Sequence, residues 1–199
     1  MTDYADLRVD PSVVLLRGLV EADSSFAPPS EAPAAVDPEA FKAAMRVLAS
    51  GVVMVTARKG ERLWGLTISA CCSISANPPL VLISLARTAS CLPAVLDTGR
   101  FGLSILRADQ KGLAELGAIP GAPKYVDAFC EEREPGFRTT MIAGALAHLD
   151  CRVTATFEVA DHALVIGAVE RAVTEAELAE PGPLLYFNRT FHALGDPLP

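Results

Sequence analysis

Apolar and polar positions along this chain repeat with two different periods. From Asp37 the spacing is helical: Phe41, Ala44, Met45 and Leu48 fall on one face. Asp37 suits an N-cap, Pro38 the first helical position and Glu39 the first turn, with Gly51 as the stop. Beyond Gly51 the pattern turns strand-like. Val52 to Thr56 is short and β-branched, Arg58 to Glu61 reads as a turn, and Leu63 to Ser69 as a second strand. Cys72 to Ser75 continues extended until Asn77-Pro78-Pro79 punctuates it. Leu80 to Leu85 is almost wholly apolar, as in a strand buried on both faces.

Short helices are predicted over Ser90 to Leu96, ending near Gly99, and over Asp109 to Leu116, with a strand from Phe101 to Leu106 between them. Gly117 to Thr140 is loop-rich. Ala145 to Val159 and Ala163 to Val173 are long β-compatible runs joined tightly through Ala160-Asp161-His162, and Leu184 to Phe187 is a last strand. The helices are too short and scattered to alternate with strands, which opposes a doubly wound sheet. A mainly β fold follows, most simply a closed antiparallel barrel that removes its own edges. Residues 1–36, with Pro28-Pro29 and Pro33, have a linker composition, so the expected division is an N-terminal extension over 1–36 and one domain over 37–199.

Composition narrows the function. The 199 residues are 51% hydrophobic and carry a net charge of −7, which opposes general nucleic-acid binding. Five cysteines, two of them adjacent, do not form a secreted disulfide pattern. The opening Met1-Thr2-Asp3-Tyr4-Ala5-Asp6 lacks a basic leader, and no uncharged apolar run is long enough to span a bilayer. The expectation is a cytoplasmic protein without membrane contact, for which the sequon Asn188-Arg189-Thr190 has no glycosylation consequence. One tryptophan, three tyrosines and eight phenylalanines leave few rings to stack on a planar ligand, so backbone groups and hydroxyls would hold it.

The common catalytic signatures are missing. There is no G-x-G-x-x-G after a strand, no G-K-[ST], no H-E-x-x-H and no G-x-S-x-G. Two features stand out instead. Hydroxyls recur at Thr67, Ser69, Ser73 and Ser75 within an apolar stretch; on strands, 67 and 69 share a face, as do 73 and 75. That row suits a polar ligand edge, or equally the wet face of a barrel. Arg87-Thr88-Ala89-Ser90, at a helix start, suits a phosphate or simple capping.

These residues sit in an ordered set of blocks: Met45-Arg46 to Ala57, Gly65-Leu66-Thr67-Ile68-Ser69, Cys72-Ser73-Ile74-Ser75, Pro78 to Leu82, Gly99-Arg100-Phe101, Gly144 to Cys151, Asp161-His162 and Leu185-Tyr186-Phe187 to Phe191. The set resembles the flavin reductase-like family, with the small reductase components of two-component flavin-dependent monooxygenases. The resemblance implies an FMN-binding split β-barrel, a Greek-key antiparallel barrel with short flanking helices. It implies an NAD(P)H:flavin oxidoreductase that passes a hydride from NADH or NADPH to FMN or FAD. It also implies a homodimer that supplies reduced flavin to a partner monooxygenase. By the same resemblance Thr67, Ser69 and Ala70 would lie beside the flavin ring, and Ser73 and Ser75 along its polar tail. Arg87, Thr88 and Ser90 would hold the phosphate. His162 would be the catalytic residue near ring and nicotinamide, with Asp161 ordering its turn. The alternatives are a split-barrel enzyme using tightly bound flavin for another tailoring reaction, and a non-catalytic flavin-binding protein. The family's usual glycine before Asp-His is Ala160 here, so a positive φ at that position would carry strain.

Overall fold

Asp37 begins the first helix, α1 (Pro38–Arg46), by accepting the backbone N–H groups of Glu39 and Ala40, each at 3.3 Å. The helix stops well before Gly51. None of its residues is buried, and Phe41 and Met45 are 59% and 47% exposed, so no packing among the described residues sustains another turn. Gly51 instead belongs to a two-residue strand, β1 (Ser50–Gly51), opposite Leu185. The computed structural model describes residues 36–121, 123–131, 135–174 and 181–195. The expected N-terminal extension therefore lies almost wholly outside the described residues.

The β-rich remainder forms β2 (Val53–Lys59), β3 (Arg62–Ile68), β4 (Cys71–Ala76), β5 (Pro79–Ala86), β6 (Arg100–Ile105), β7 (Ala147–Val159) and β8 (His162–Thr174). These make one seven-stranded sheet in the order β3-β2-β6-β7-β8-β5-β4, with every ladder antiparallel. A three-stranded sheet joins β1 to the hairpin of β9 (Leu184–Phe187) and β10 (Thr190–Ala193). Helix α2 (Leu92–Thr98) ends on Gly99 in the left-handed region, and α3 (Lys111–Ala118) follows a 3-10 turn over Ala108–Gln110. The sequence pattern missed β1 and β10, which are short, largely polar and defined by pairing alone.

Two apolar cores lie on opposite faces of β2. Val53, Val55 and Ala57 join Leu66, Ile83, Leu85, Phe101, Leu103 and Val165, closed over by Leu92 and Val95 of α2. Ile68 and Cys71, from the two end strands, pack against this same cluster, so the sheet curls around it. No ladder joins β3 to β4 among the described residues. The free edge of β3 is partly covered by a loop: Gly65 N–H donates to the Lys124 carbonyl at 2.8 Å, and Val126 N–H to Leu63 at 3.1 Å. On the other face Val52 and Met54 pack with Leu113 and Ala114 of α3, Leu184 of β9, Val126 and Ile142. Burying a side chain the size of Phe101 contributes about 1.5–3 kcal/mol, so the first core supplies most of the fold's driving force.

A buried polar chain ties the loop before β7 to the sheet. Ser104 Oγ accepts the Ile142 N–H at 3.2 Å, leaving its own proton for His148 Nδ1 at 3.0 Å. Thr139 gives its proton to Asp150 at 3.1 Å, so its oxygen accepts from His148 Nε2 at 3.0 Å. His148 is thereby fixed as the neutral Nε2–H tautomer, and burial pushes its pKa down to about 4. Asp150 also accepts the Arg138 N–H at 2.6 Å and pairs with Arg100 at 3.5 Å.

The β7–β8 hairpin turns on Ala160-Asp161, closed by the pair Val159–His162. Ala160 has φ 51°, the left-handed conformation for which the family's glycine is suited. Ala160→Gly is expected to stabilise the protein by about 1 kcal/mol, read as a higher urea midpoint with unchanged slope.

Candidate functional site

Ile68 is the last residue of β3, and the chain bends through Ser69 and Ala70 into β4. This corner is pinned to β5 because Ser84 N–H donates to the Ala70 carbonyl at 3.0 Å. Beside it lies a cleft of about 540 Å³, walled by Thr67, Ile68 and Ser69, by one side of α3 and by the β9–β10 hairpin. Thr67 faces Met54 and the start of the last turn of α3, where Gly117 permits close approach: a Cβ there would sit 3.0 Å from the Thr67 backbone nitrogen. Tyr186 and Phe191 supply two of the few rings, with centroids 5.2 Å apart, and both line the cleft. Lys111 and Glu115 of α3 pair at 3.5 Å on its wall.

The structure brings Thr67 and Ser69 together in this cleft but separates Ser73 from Ser75. Ser73 lies opposite Val81 and Ser75 opposite Leu80, with a bulge between them. Adjacent partners point to opposite faces, so the expected shared face of 73 and 75 is corrected by the extra residue. The Ser75 hydroxyl accepts the Asn77 N–H at 3.1 Å, a local bond shaping the turn before Pro78.

A second group forms where β5 ends. Arg87 N–H donates to the Asp161 carbonyl at 2.9 Å, and Ala86 lies directly opposite His162, so the loop over 87–90 and the β7–β8 turn are neighbours. The Arg87 side chain makes only an exposed pair with Glu158 at 3.8 Å, which contributes little to stability. Thr88 is exposed. The Ser90 oxygen is buried without a hydrogen-bond partner among the described residues, an unusual state for a hydroxyl. Lys124 is only 6% exposed and has no acidic partner among the described residues; burial pushes its pKa down, while the nearby Cys91 opposes this. His162 Nδ1 and the Asp161 carboxylate lie 2.7 Å apart, and this bond holds the Asp161 pKa below its ordinary value. The Ala70 corner and Arg87 flank the same end of β5, about 10 Å apart at strand rise.

The orphaned buried hydroxyl in this loop is a polar group that an anionic ligand would satisfy. The hydroxyl-walled cleft at the other side of that strand end suits a flat, polar-edged ring. The residues present therefore fit a flavin nucleotide. Cys71 and Cys91 do not supply an alternative chemistry: burial pushes their thiols up to about 11 and about 12, away from the reactive thiolate.

Fold and site together describe a mainly β protein with a ring-sized cleft beside a phosphate-compatible loop. The flavin reductase like domain matches residues 45–195, and the chain belongs to that family. It is 41% identical over 157 residues to the reductase component of 4-hydroxyphenylacetate 3-monooxygenase from Thermus thermophilus, covering 78% of this chain and 96% of that one. Actinorhodin polyketide dimerase of Streptomyces coelicolor is 35% identical over 162 residues, covering 80% and 88%. The solved structure of flavin reductase PheA2 superposes with a TM-score of 0.71 at 32% identity, covering 81% of this chain and all of that one.

Sequence reasoning locates α3 and β9 but misses β10 and the cleft-lining residues Lys111, Glu115, Arg189 and Thr190. The tyrosine and phenylalanine of the last block were the available signal. What joins them to Thr67 is packing between elements more than forty residues apart for α3 and more than a hundred for the β9–β10 hairpin, which no local pattern encodes.

Proposed function

We propose that this protein is an NAD(P)H:flavin oxidoreductase that supplies reduced FMN or FAD to a partner monooxygenase, working as a homodimer of split-barrel domains spanning residues 37–199. The observation that carries the site is the buried Ser90 hydroxyl, without a partner among the described residues, beside Arg87 and Thr88. Family membership over residues 45–195 supports the reaction. When bound, the flavin supplies the redox chemistry, taking a hydride from the reduced nicotinamide.

The chain's own residues bind and orient. Thr67, Ser69 and Ala70 form the wall for the ring, with Ser73 at its margin; Ser75, turned to the other face, has its role in the turn. Arg87, Thr88 and Ser90 take the phosphate. His162, its Nδ1 held by Asp161 at 2.7 Å, keeps Nε2 for the nicotinamide side of the site. Such a reaction requires no nucleophile, in keeping with the raised thiol pKa values of Cys71 and Cys91. The exposed apolar residues Phe41 and Met45 of α1, with Leu48 just after it, support the homodimer: among the described residues nothing buries this face. No helix among the described residues is long and apolar enough to cross a membrane.

The test is a steady-state assay crossing FMN and FAD with NADH and NADPH. Turnover of added flavin is expected with at least one pair; none with any pair overturns the reading. The relative named as a polyketide dimerase favours a second reading, in which bound flavin acts on an organic substrate. Tight flavin retention with poor turnover of free flavin would select it. Arg87→Ala is expected to weaken FMN binding about tenfold, through loss of a charge-assisted bond, while riboflavin affinity stays nearly constant. Fluorescence titration of the two flavins checks this. Equal losses would remove Arg87 from the phosphate seat.

A further inference from the structure

The β9–β10 hairpin turns through two residues, Asn188 and Arg189, closed by the pair Phe187–Thr190. Both turn residues have positive φ, 46° and 64°. Such a turn matches the twist of the hairpin but favours Asn followed by Gly. Asn188 is well suited, and its N–H donates to the Arg46 carbonyl at 2.9 Å, tying the turn to the end of α1. Arg189 is not suited: its Cβ crowds the backbone where glycine would not.

Nothing local compensates that strain. Arg189 makes no hydrogen bond or ion pair with the described residues. Arg189 is exposed and lines the same cleft as Thr67 and Ser69, between Tyr186 and Phe191 in sequence. The other cation on that wall, Lys111, is already paired with Glu115 at 3.5 Å. A strained residue on a cleft wall, with no side-chain partner among the described residues, signals a ligand. A planar fork of donors selects a phosphate or diphosphate.

Two anions enter the reaction proposed above, and the loop over 87–90 accounts for only one of them. We propose that Arg189 grips the diphosphate of the nicotinamide dinucleotide, at the strained tip of the hairpin, and so sets cosubstrate affinity. This rests on the flavin reductase reading, and its test is chosen to fail separately. ADP-ribose carries the same diphosphate without a nicotinamide, so its binding to the flavin-loaded protein is measured by calorimetry with no turnover.

Arg189→Gly is expected to weaken ADP-ribose about tenfold or more, the scale of a lost charge-assisted pair. It should also raise the Tm of the flavin-free protein by about 2–4 °C as the turn relaxes. FMN affinity should hold within about twofold. Arg189→Lys keeps strain and charge but loses the fork, and is expected to fall between wild type and the glycine variant in ADP-ribose affinity. Unchanged ADP-ribose affinity in Arg189→Gly overturns the proposal even where the wild type reduces flavin well. A weakened FMN with unchanged ADP-ribose also overturns it, by assigning Arg189 to the flavin phosphate. A lowered Tm overturns the strain argument, since the turn would then depend on arginine. A wild type that binds ADP-ribose but reduces no flavin defeats the functional reading alone.

Discussion

Asp150→Ala is expected to destabilise the protein by about 3 kcal/mol. Asp150 is 1% exposed and receives three donors: the Arg138 N–H, the Thr139 hydroxyl and Arg100. Alanine leaves the first two unsatisfied in the interior. Arg100 retains Glu170 at 2.6 Å, whose pKa that bond holds below the usual carboxylate range, so the loss stays short of a fully orphaned charge. Against a total stability on the order of 5–15 kcal/mol, this removes a large share. Thermal melts should move down by about 6–12 °C, with Asp150→Asn falling by less. A shift under 2 °C would show that the network is replaceable by water.

The same network predicts acid sensitivity. His148 has a folded pKa of about 4 against 6.5 for the free side chain, because burial disfavours the charged form. Between these values the unfolded chain binds the proton and the folded chain does not. Stability from this group is therefore complete above about pH 6.5 and lost as pH falls toward 4, about 3 kcal/mol in all. Urea midpoints measured from pH 8 to pH 4 should fall steeply over that window. A flat profile there would mean that His148 protonates without leaving its partners.

Gly117→Val is expected to carry the second large effect, on stability and binding together. A Cβ at Gly117 meets the Thr67 backbone nitrogen at 3.0 Å and Met54 Cε at 2.9 Å. Backbone cannot rotate away, so α3 must lift from β3, at about 1–3 kcal/mol for overpacking. The lifted helix carries Lys111, Glu115 and Ala118, and Thr67 and Ser69 form the opposing wall. Flavin affinity should drop at least tenfold, because a misplaced wall loses several contacts at once. Gly112, on the same helix with open space around it, is the control: Gly112→Ala should leave flavin affinity intact. Stability loss without weaker flavin binding would separate the cleft from the flavin site.

Much of the fold was legible in the sequence. The long β runs became β7 and β8 with ends within two residues of expectation, and Ala160 does adopt the positive φ that its place before Asp161-His162 implied. The helix start at Asp37 is as read, because capping is a local bond between neighbours. Its end differs from the reading, because helical spacing signals an apolar face but not what covers it, and among the described residues nothing buries it.

Sequence alone thus determined the secondary structure class, the family blocks and the chemical character of the loop over 87–90. Each depends on residue type and on contacts within a few positions. Tertiary structure decided the rest. It split Ser73 from Ser75 with a bulge, since register is a property of two strands. It set Thr67 against Gly117 and brought Arg189 to the same cleft. It also buried Ser90 without a partner among the described residues. Those relations arise only when distant segments pack, and the energy that fixes them lies in the two apolar cores on either side of β2.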